Sequence, residues 1–255
     1  MTRRAVPIPK GTPCCDLSVK LSRSEALALW AAGERVLIRY IFFGPARPGD
    51  IDAAELDMLL AIGFIVLLVQ HVRSPEQGLS GWIATADRGH SDSAWATRNA
   101  VAAGYVAPDG DPLLSLGVDL EDIIRGGPEY AYAWCLDMVK YGPLAYVGFV
   151  SGQSTGTLDG LPNMPRFWAD FAPLPLRPTP SRGWDMHQHA QETVAGVPVD
   201  RDEVLTDGMI FGLRDVDVNV ETTDPREAPT RPSLIPPPVP FHSASTIPPP
   251  PDDVA

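Results

Sequence analysis

The sequence has few cysteines and no long apolar run. No stretch approaches the roughly 18 consecutive apolar residues of a membrane-spanning helix, and the run from Phe64 to Val69 has the length of a buried strand. The three cysteines, adjacent Cys14 and Cys15 and distant Cys135, give neither a disulfide framework nor a metal-ligand spacing. We therefore expect no membrane segment, no structural disulfide, no metal and no cofactor.

Basic residues are also scarce. The chain has 20 Lys and Arg against 32 Asp and Glu, a net charge of −12, and no basic cluster offsets it. Such a charge repels phosphate backbones and anionic lipids alike, which argues against nucleic acid and membrane partners. The segment from Met1 to Lys10 carries positive charge, but no apolar segment follows it, so no signal peptide is predicted.

Proline is concentrated in one part of the chain. Eleven prolines fall within the last 32 residues, from Asp224 onward, with runs at Pro236 to Pro238 and Pro248 to Pro251. Such a composition does not pack a core and favours polyproline II. With 44% apolar residues overall, the rest suits one large domain. We predict an N-terminal arm over residues 1–10, a single domain over 11–214 and a disordered, proline-rich linker or tail over 215–255.

The domain alternates apolar runs with capped segments. Ser22 with Glu25, and Asp52 with Glu55, predict capping boxes, and Asp92 predicts a third helix start. Later spacings are too short for full crossover helices. We predict an α/β protein: a TIM-like (β/α)8 barrel, flattened, with helices reduced or missing after strand five and with room for one antiparallel strand. The predicted strands are Thr12 to Leu17, Val36 to Phe43, Phe64 to Val69, Leu113 to Leu120, Leu144 to Val150, Arg166 to Phe171, Gly183 to His189 and Val197 to Arg201.

Acidic residues stand at the ends of several predicted strands. Asp119 and Glu121, two residues apart in the fourth strand, face the same side of it, at the carboxyl end where such barrels place catalytic groups. Asp16 lies near the end of the first strand, and Asp200, followed two residues on by Asp202, belongs to the last. Because strands one and eight are neighbours in a closed barrel and strand four lies nearly opposite, we expect these acids around one pocket.

Crowded carboxyl groups predict acid chemistry. They cannot all ionise cheaply, so at least one should keep its proton near neutral pH, and cleavage of a glycosidic bond requires one protonated and one ionised carboxyl. Tyr146, Trp168 and Trp184 lie on predicted strands five to seven and could stack on sugar rings. The structural alternative is that the acids cap the next helix or pair with an arginine such as Arg125.

Two further groups could form reactive sites. His187, His189 and Asp185 could bind a metal, but no second strand supplies a ligand at a recognisable spacing, so hydrogen-bonded strand histidines are favoured. Cys14 faces the side of Asp16, but no cation is evident to lower its pKa, so an inert thiol is favoured. Phosphate-loop and dinucleotide motifs do not occur.

Five segments occur in an order that is typical of one group of enzymes. They are Cys15-Asp16, Gly89 to Gly104, Gly117 to Glu121, Phe167 to Asp170, and Trp184 to Gln188 followed by Val199-Asp200. Over about 200 residues the chain resembles glycoside hydrolase family 25, the lysozyme-like muramidases, and still more closely the related glycoside-hydrolase-like domain of unknown function 1906. It departs from the family where the glutamine-aromatic pair of strand seven reads Gln188-His189, and where strand three ends in Gln70-His71 without the expected aromatic.

The resemblance implies roles for the acids. Glu121 would be the general acid, and Asp119 would be its partner, which steers the substrate or stabilises positive charge. Asp16 and Asp200 would line the subsite where the sugar distorts. The substrate-binding residues would be Tyr146, Trp168, Trp184 and Gln188.

The resemblance also implies a function. We expect a hydrolase of bacterial cell-wall peptidoglycan, encoded by a phage, made in the host cytoplasm and then released to the wall or built into a virion. The alternative is a non-catalytic glycan-binding or structural barrel of a phage tail, a minor tail protein that contacts other virion tail proteins through its proline-rich tail. An intracellular enzyme of small metabolites is disfavoured because no phosphate-binding motif is present.

Overall fold

The apolar runs of the sequence form the wall of a closed barrel in the computed structural model. The structure describes residues 1–71, 84–120, 127–147, 166–169 and 183–217. Its elements are, in chain order, β1 (Thr2–Pro7), β2 (Pro13–Leu17), α1 (Arg23–Ala31), β3 (Val36–Ile41), α2 (Ala53–Ile62), β4 (Ile65–Gln70), α3 (Ala86–Ala102), β5 (Ser115–Asp119), α4 (Gly127–Asp137), β6 (Gly142–Val147), β7 (Arg166–Ala169), β8 (Met186–Val194), β9 (Val197–Val204) and β10 (Phe211–Val216).

The strand order confirms the predicted fold class. Eight strands close on themselves in the order β4-β3-β2-β9-β8-β7-β6-β5, and β5 pairs back with β4. All neighbours are parallel except β9, which runs antiparallel to both β8 and β2. Helices lie between the strands from β2 to β6, and no helix occurs among the described residues after β6.

Two predicted helix starts are correct in position. Ser22 caps α1, and its side chain and that of Glu25 make both bonds of a capping box. Asp52 caps α2 by accepting from the backbone N–H of Glu55. The return bond is absent, however, because the Glu55 carboxylate is fully buried and accepts instead from the Arg39 guanidinium at 2.9 Å and from the backbone N–H of Leu21 at 3.0 Å. The second capping box is therefore only half correct.

The predicted start of the third helix is wrong. Thr85 is the N-cap of α3, and Asp92 lies one and a half turns inside the helix, buried, where it accepts a hydrogen bond of 2.7 Å from the Tyr130 hydroxyl of α4. The two helices touch at Gly89, where an added Cβ would lie 2.3 Å from the backbone oxygen of Tyr130. A glycine is needed here because only its bare backbone allows this approach.

The first residues form a strand that the sequence analysis does not predict. β1 pairs antiparallel with β10, and β10 pairs with β4 at Val66, below the point where β4 pairs with β5. Asp111 fixes the strand by accepting from the backbone N–H of Ala5 at 2.9 Å and by an ion pair with Arg4. The described part of the chain includes no helix that is long and apolar enough to cross a membrane. The predicted tail beyond residue 217 lies outside the described residues.

Two apolar layers lie on either side of the barrel wall. One cluster fills the barrel interior, and Ile8 and Ile210 from the segments beside β1 and β10 join it. The larger cluster lies between the wall and the helices and includes the fully buried Trp134. Because side chains alternate along a strand, each strand contributes to both layers. The interior changes from apolar to polar towards the ends of the parallel strands, and this is where the candidate site lies.

Candidate functional site

The centre of the candidate site is Asp16, the second-last residue of β2. Its carboxyl is 1% exposed and accepts two hydrogen bonds, one from the Tyr40 hydroxyl at 3.1 Å and one from the Gln188 amide Nε2 at 2.9 Å. The Tyr146 hydroxyl in turn donates to Gln188 Oε1 at 2.8 Å. The residues of this inner network, Asp16, Tyr40, Tyr146 and Gln188, come from four strands, so the closed barrel itself positions the carboxylate.

Asp119 faces the same interior, as its position in the strand predicts. It is the last residue of β5, lies opposite Tyr146 in the register, and is 7% exposed. Gly117, two residues earlier, packs closely on β4, since an added Cβ would lie 3.0 Å from the Val69 side chain. Glu121 and Arg125 lie outside the described residues, so the general acid of the resemblance and its alternative ion pair both stay predictions.

The antiparallel strand β9 brings two more acids to Asp16. Asp200 lies opposite Asp16 in the register, and Asp202 lies opposite Cys14 and Gln188. Asp202 is 3% exposed, and within the described ranges neither of its carboxyl oxygens has a hydrogen-bond partner at ordinary distance, although the Trp168 indole and the Asp16 carboxyl both affect its pKa. The two-residue spacing of Asp200 and Asp202 predicts the same face of the strand, and both acids lie on the side of Asp16.

The crowded acids have raised pKa values, as predicted. Burial, with the neighbouring charge of Asp200, raises the pKa of Asp16 to about 7, against the opposing hydrogen bonds from Gln188 and Tyr40. Burial, followed by the charge of Asp16, raises the pKa of Asp202 well above its usual range, and burial also raises the pKa of Asp200. The pocket therefore holds at least one carboxyl proton near neutral pH.

The aromatic residues divide into two groups. Tyr146 and Trp168 lie together in the barrel interior, with ring centroids 4.5 Å apart, but both are buried, so they form the floor and wall of the site and present no open stacking face. Trp184 precedes β8 and packs edge-on against Phe167 in the outer cluster, between the barrel wall and the helices. The structure does not bring Trp184 to the predicted site.

Tyr40 and His71 form an aromatic pair at the rim of the barrel. His71, which follows β4, stacks on the Tyr40 ring with centroids 4.5 Å apart, and its Nε2 lies 3.3 Å from an oxygen of the buried Asp50. Gln70 points outward, under α3 and α4. His71 thus covers the tyrosine that holds Asp16, a contact that the sequence does not predict because it joins two strand ends.

A cleft opens next to the acids, between the end of β2 and the hairpin of β8 and β9. It has a volume of about 300 Å³ and is lined by Asp16, Leu17, Ser18, Val19, Gln191, Glu192, Pro198, Val199 and Asp200. This lining combines carboxylates, an amide and a hydroxyl with apolar walls. Such a mixture suits a hydroxylated ligand with small apolar groups.

The structure also describes Cys14 and Asp185, which the sequence offers as a possible nucleophile and a possible metal ligand. Burial, with the charge of Asp202, raises the pKa of the Cys14 thiol well above its usual range, so it is not a thiolate near neutral pH. Asp185 accepts from the backbone N–H of Phe167 at 3.0 Å and from the Thr206 hydroxyl at 2.9 Å. Within the described ranges, no group of three or more His, Cys, Asp or Glu side chains is arranged to hold a metal ion.

Comparison with known proteins finds relatives in fold only. No family model and no curated protein matches the chain. An uncharacterized protein of B. stearothermophilus matches with 15% identity and a TM-score of 0.57 over 76% of this chain and 96% of its own. A muramidase from Trichobolus zukalii matches with 15% identity and a TM-score of 0.53 over 74% of this chain and 92% of its own.

The modular Cpl-1 endolysin, solved in complex with a peptidoglycan analogue, also has this fold. It matches with 13% identity and a TM-score of 0.50 over 83% of this chain and 57% of the endolysin. A second structure of it, a mutant with glutamine in place of a glutamate, holds a tetrasaccharide-pentapeptide. The barrel is therefore similar in fold to a muramidase and to an endolysin.

Proposed function

We propose that the protein is a glycoside hydrolase of bacterial cell-wall polysaccharide, with muramidase-like acid catalysis. The observation that carries the proposal is the inner network: a buried carboxyl, Asp16, held by Tyr40 and Gln188 beside further acids at the open end of a mixed barrel. Asp200 and the cleft of about 300 Å³ adjoin Asp16, and Asp119 acts on the Tyr40 hydroxyl from β5. A purely structural acid would not need several like charges around it, because each raises the cost of the others.

In the proposed mechanism the acids have different roles. Glu121, two residues after Asp119, donates a proton to the glycosidic oxygen, and Asp119 assists it. Asp16 and Asp200 oppose the positive charge that develops on the sugar ring. Tyr40 and Gln188 orient Asp16 and supply hydrogen bonds to its ionised form. The pKa of about 7 allows Asp16 to exist in either protonation state near neutrality.

The fold comparison supports this reading. A muramidase and an endolysin solved with a peptidoglycan analogue have similar barrels, and glutamine in place of a glutamate is the mutation in the endolysin complex with a tetrasaccharide-pentapeptide. We extend the substrate class of those proteins to this chain. Phage origin, with release to the wall or incorporation into a virion, is part of the same proposal.

Turnover with matched variants tests the proposal. Purified protein is incubated with actinobacterial peptidoglycan, and new reducing ends are measured for wild type, Glu121→Gln and Glu129→Gln. Glu129 is an exposed acid in the first turn of α4 and serves as the control. We expect wild type and Glu129→Gln to release sugar ends equally, and Glu121→Gln to lose at least about 100-fold. Equal release by all three proteins would show that Glu121 is not the general acid. No release by any of them would contradict the proposed hydrolase activity.

A non-catalytic glycan-binding barrel of a phage tail is the second candidate. The proline-rich composition from Asp224 onward favours it, because polyproline segments often dock on other proteins. Sedimentation with whole cell walls separates the candidates. Binding that is equal for wild type and Glu121→Gln, without turnover, together with co-purification with virion tail proteins, would support the tail module over the enzyme.

A further inference from the structure

The hairpin of β8 and β9 contains an irregularity next to the acids. The register pairs Gln188 with Asp202, and then Ala190 with Arg201, so that His189 has no partner of its own on β9. This is a β-bulge, in which one strand has one residue more than the strand it faces. The regular pairing resumes with Gln191 opposite Asp200.

The bulge changes which side chains reach the site. In a regular strand Gln188 and Gln191, three residues apart, would face opposite sides of the sheet. With the extra residue at His189 both face the side of Asp16, and each is paired in register with an acid of β9. Bulges beside active sites commonly re-aim a side chain in this way.

Gln191 stands where the cleft meets the acids. Gln191 lies opposite Asp200 in the register, and its side chain lines the cleft together with Asp16 and Asp200. There the amide favours the ionised carboxylate and opposes the rise in the pKa of Asp200 that burial causes. Gln188 Nε2 donates a hydrogen bond to Asp16 at 2.9 Å. The strand thus supplies one amide to each of two acids, although only Gln188 belongs to the predicted site.

We propose that Gln191, turned to the cleft by the bulge at His189, is a positioning residue that holds the ionised carboxylate of Asp200 towards the ligand. The assignment deepens the proposed function and rests on it where turnover is concerned. Gln191 itself is exposed on a strand, so its replacement removes no core packing. Its effect on Asp200 can therefore be separated from a loss of fold.

Among the described residues, the charged groups that lie nearest Asp200 on the cleft side are acids. Asp16 faces it from β2, and Asp202 stands two residues along β9. Glu192, also in the cleft lining, is paired with Arg201, which also pairs with Glu34. The neutral amide of Gln191 is therefore the group on β8 that stabilises the Asp200 carboxylate. Replacing it with a stronger or a weaker hydrogen-bond donor should change the pKa of Asp200.

Three variants test the assignment. Gln191→Met has the length of glutamine without its donor, Gln191→Lys has a charged donor, and Thr193→Ala, exposed on the same face of β8, is the control. The titration of the Asp200 carboxyl is followed by carbon-13 NMR, and the pH dependence of peptidoglycan turnover is measured on the same proteins. We expect Gln191→Met to raise the pKa of Asp200 by about half a unit to one unit, and Gln191→Lys to lower it. The acid limb of the activity profile should move in the same directions, and Thr193→Ala should match wild type.

The two readouts keep this proposal separate from the proposed function. Shifts of opposite sign in the Asp200 titration support the positioning role even where no turnover is found, in which case it is the hydrolase that fails. An Asp200 titration that is the same in wild type, Gln191→Met and Gln191→Lys would overturn the positioning role. A pH profile of turnover whose acid limb stays fixed while the pKa of Asp200 shifts would also overturn the positioning role.

Discussion

Two buried polar networks lie on opposite faces of the barrel wall, and they use nearly the same residue types. The inner network consists of Asp16, Tyr40, Tyr146 and Gln188. The outer network, between β4 and the helices α3 and α4, consists of Gln70, Asp92, Tyr130 and Trp134. Each joins a glutamine, an aspartate and at least one tyrosine, so residue type alone does not distinguish a site from a structural brace.

The surroundings of the two networks differ. In the outer network the Trp134 indole donates to Gln70 Oε1, Gln70 donates to the backbone oxygen of Asp92, and the Tyr130 hydroxyl donates to the Asp92 carboxylate, each at 2.7 Å. All four side chains are buried beneath helices. The inner network borders on a cleft and on further carboxyl groups, and burial together with the charge of Asp200 raises the pKa of its aspartate. Like charges and an opening therefore distinguish the inner network as the candidate site.

The largest expected effect comes from replacing the inner aspartate. Asp16→Asn removes a charge that opposes the developing positive charge on the sugar, so we expect the kcat/KM on peptidoglycan to fall by about 100-fold to 1000-fold. The variant is compared with Glu129→Gln, which changes one exposed acid. Activity within a factor of about three of wild type would show that Asp16, for all its hydrogen bonds, does not act on the substrate.

The same variant should change how stability depends on pH. The folded pKa of Asp16, about 7, lies above the ordinary value of 3.8, so between about pH 4 and pH 7 the folded protein keeps a proton that the unfolded chain releases. Stability from this group is therefore lost as the pH rises through that window. Urea unfolding at about pH 5 and pH 8 should show that the free energy of unfolding of Asp16→Asn, relative to that of wild type, is greater at the higher pH. A constant difference between the two proteins would contradict the raised pKa.

An intermediate effect is expected from the outer glutamine. Gln70→Met keeps the length of the side chain but leaves the Trp134 N–H and the Asp92 backbone oxygen without this partner, at a cost of about 2 kcal/mol in the free energy of unfolding. Peptidoglycan turnover at a temperature well below unfolding should match wild type. Ser91→Ala, on the exposed face of α3, is the control and should change stability little.

The barrel and the inner acids were largely predictable from the sequence. Apolar runs with capped segments between them indicate strands and helices, and the two-residue period of a strand shows that Asp16, Asp119 and Asp200 face inward. These features depend on local order along the chain. The site residue Gln188 was accessible only through the family resemblance, because its bond to Asp16 joins strands 172 residues apart.

The errors fall where tertiary contacts override local preference. Asp92 has the chemistry of an N-cap, but Tyr130 of the next helix binds it inside α3, and Thr85 caps instead. The predicted strand Gly183 to His189 begins too early, because β8 starts only at Met186, and the Trp184 indole before it packs against Phe167 in the outer cluster. Gln191 could not be placed by counting residues because the bulge that turns it exists only once β8 and β9 are paired.

The smallest effects should distinguish the inner and outer networks most clearly, because they come from the same substitution, tyrosine to phenylalanine, made on each face of the barrel wall. Tyr130→Phe and Tyr40→Phe each delete one hydroxyl that donates to a buried aspartate, Asp92 outside and Asp16 inside. We expect Tyr130→Phe to lower the free energy of unfolding by about 1 kcal/mol and to leave the pH profile of turnover unchanged.

Tyr40→Phe should act on ionisation instead. The hydroxyl lowers the pKa of Asp16, so its loss should raise that pKa further and move the acid limb of the activity profile to higher pH. Its cost in stability should be small at low pH, where the protonated carboxyl can do without the donor, and should grow as the pH rises. If both substitutions lowered stability equally at every pH and neither moved the activity profile, the two networks would be of one kind. The inner acids would then have a structural role only, and turnover would depend on other residues.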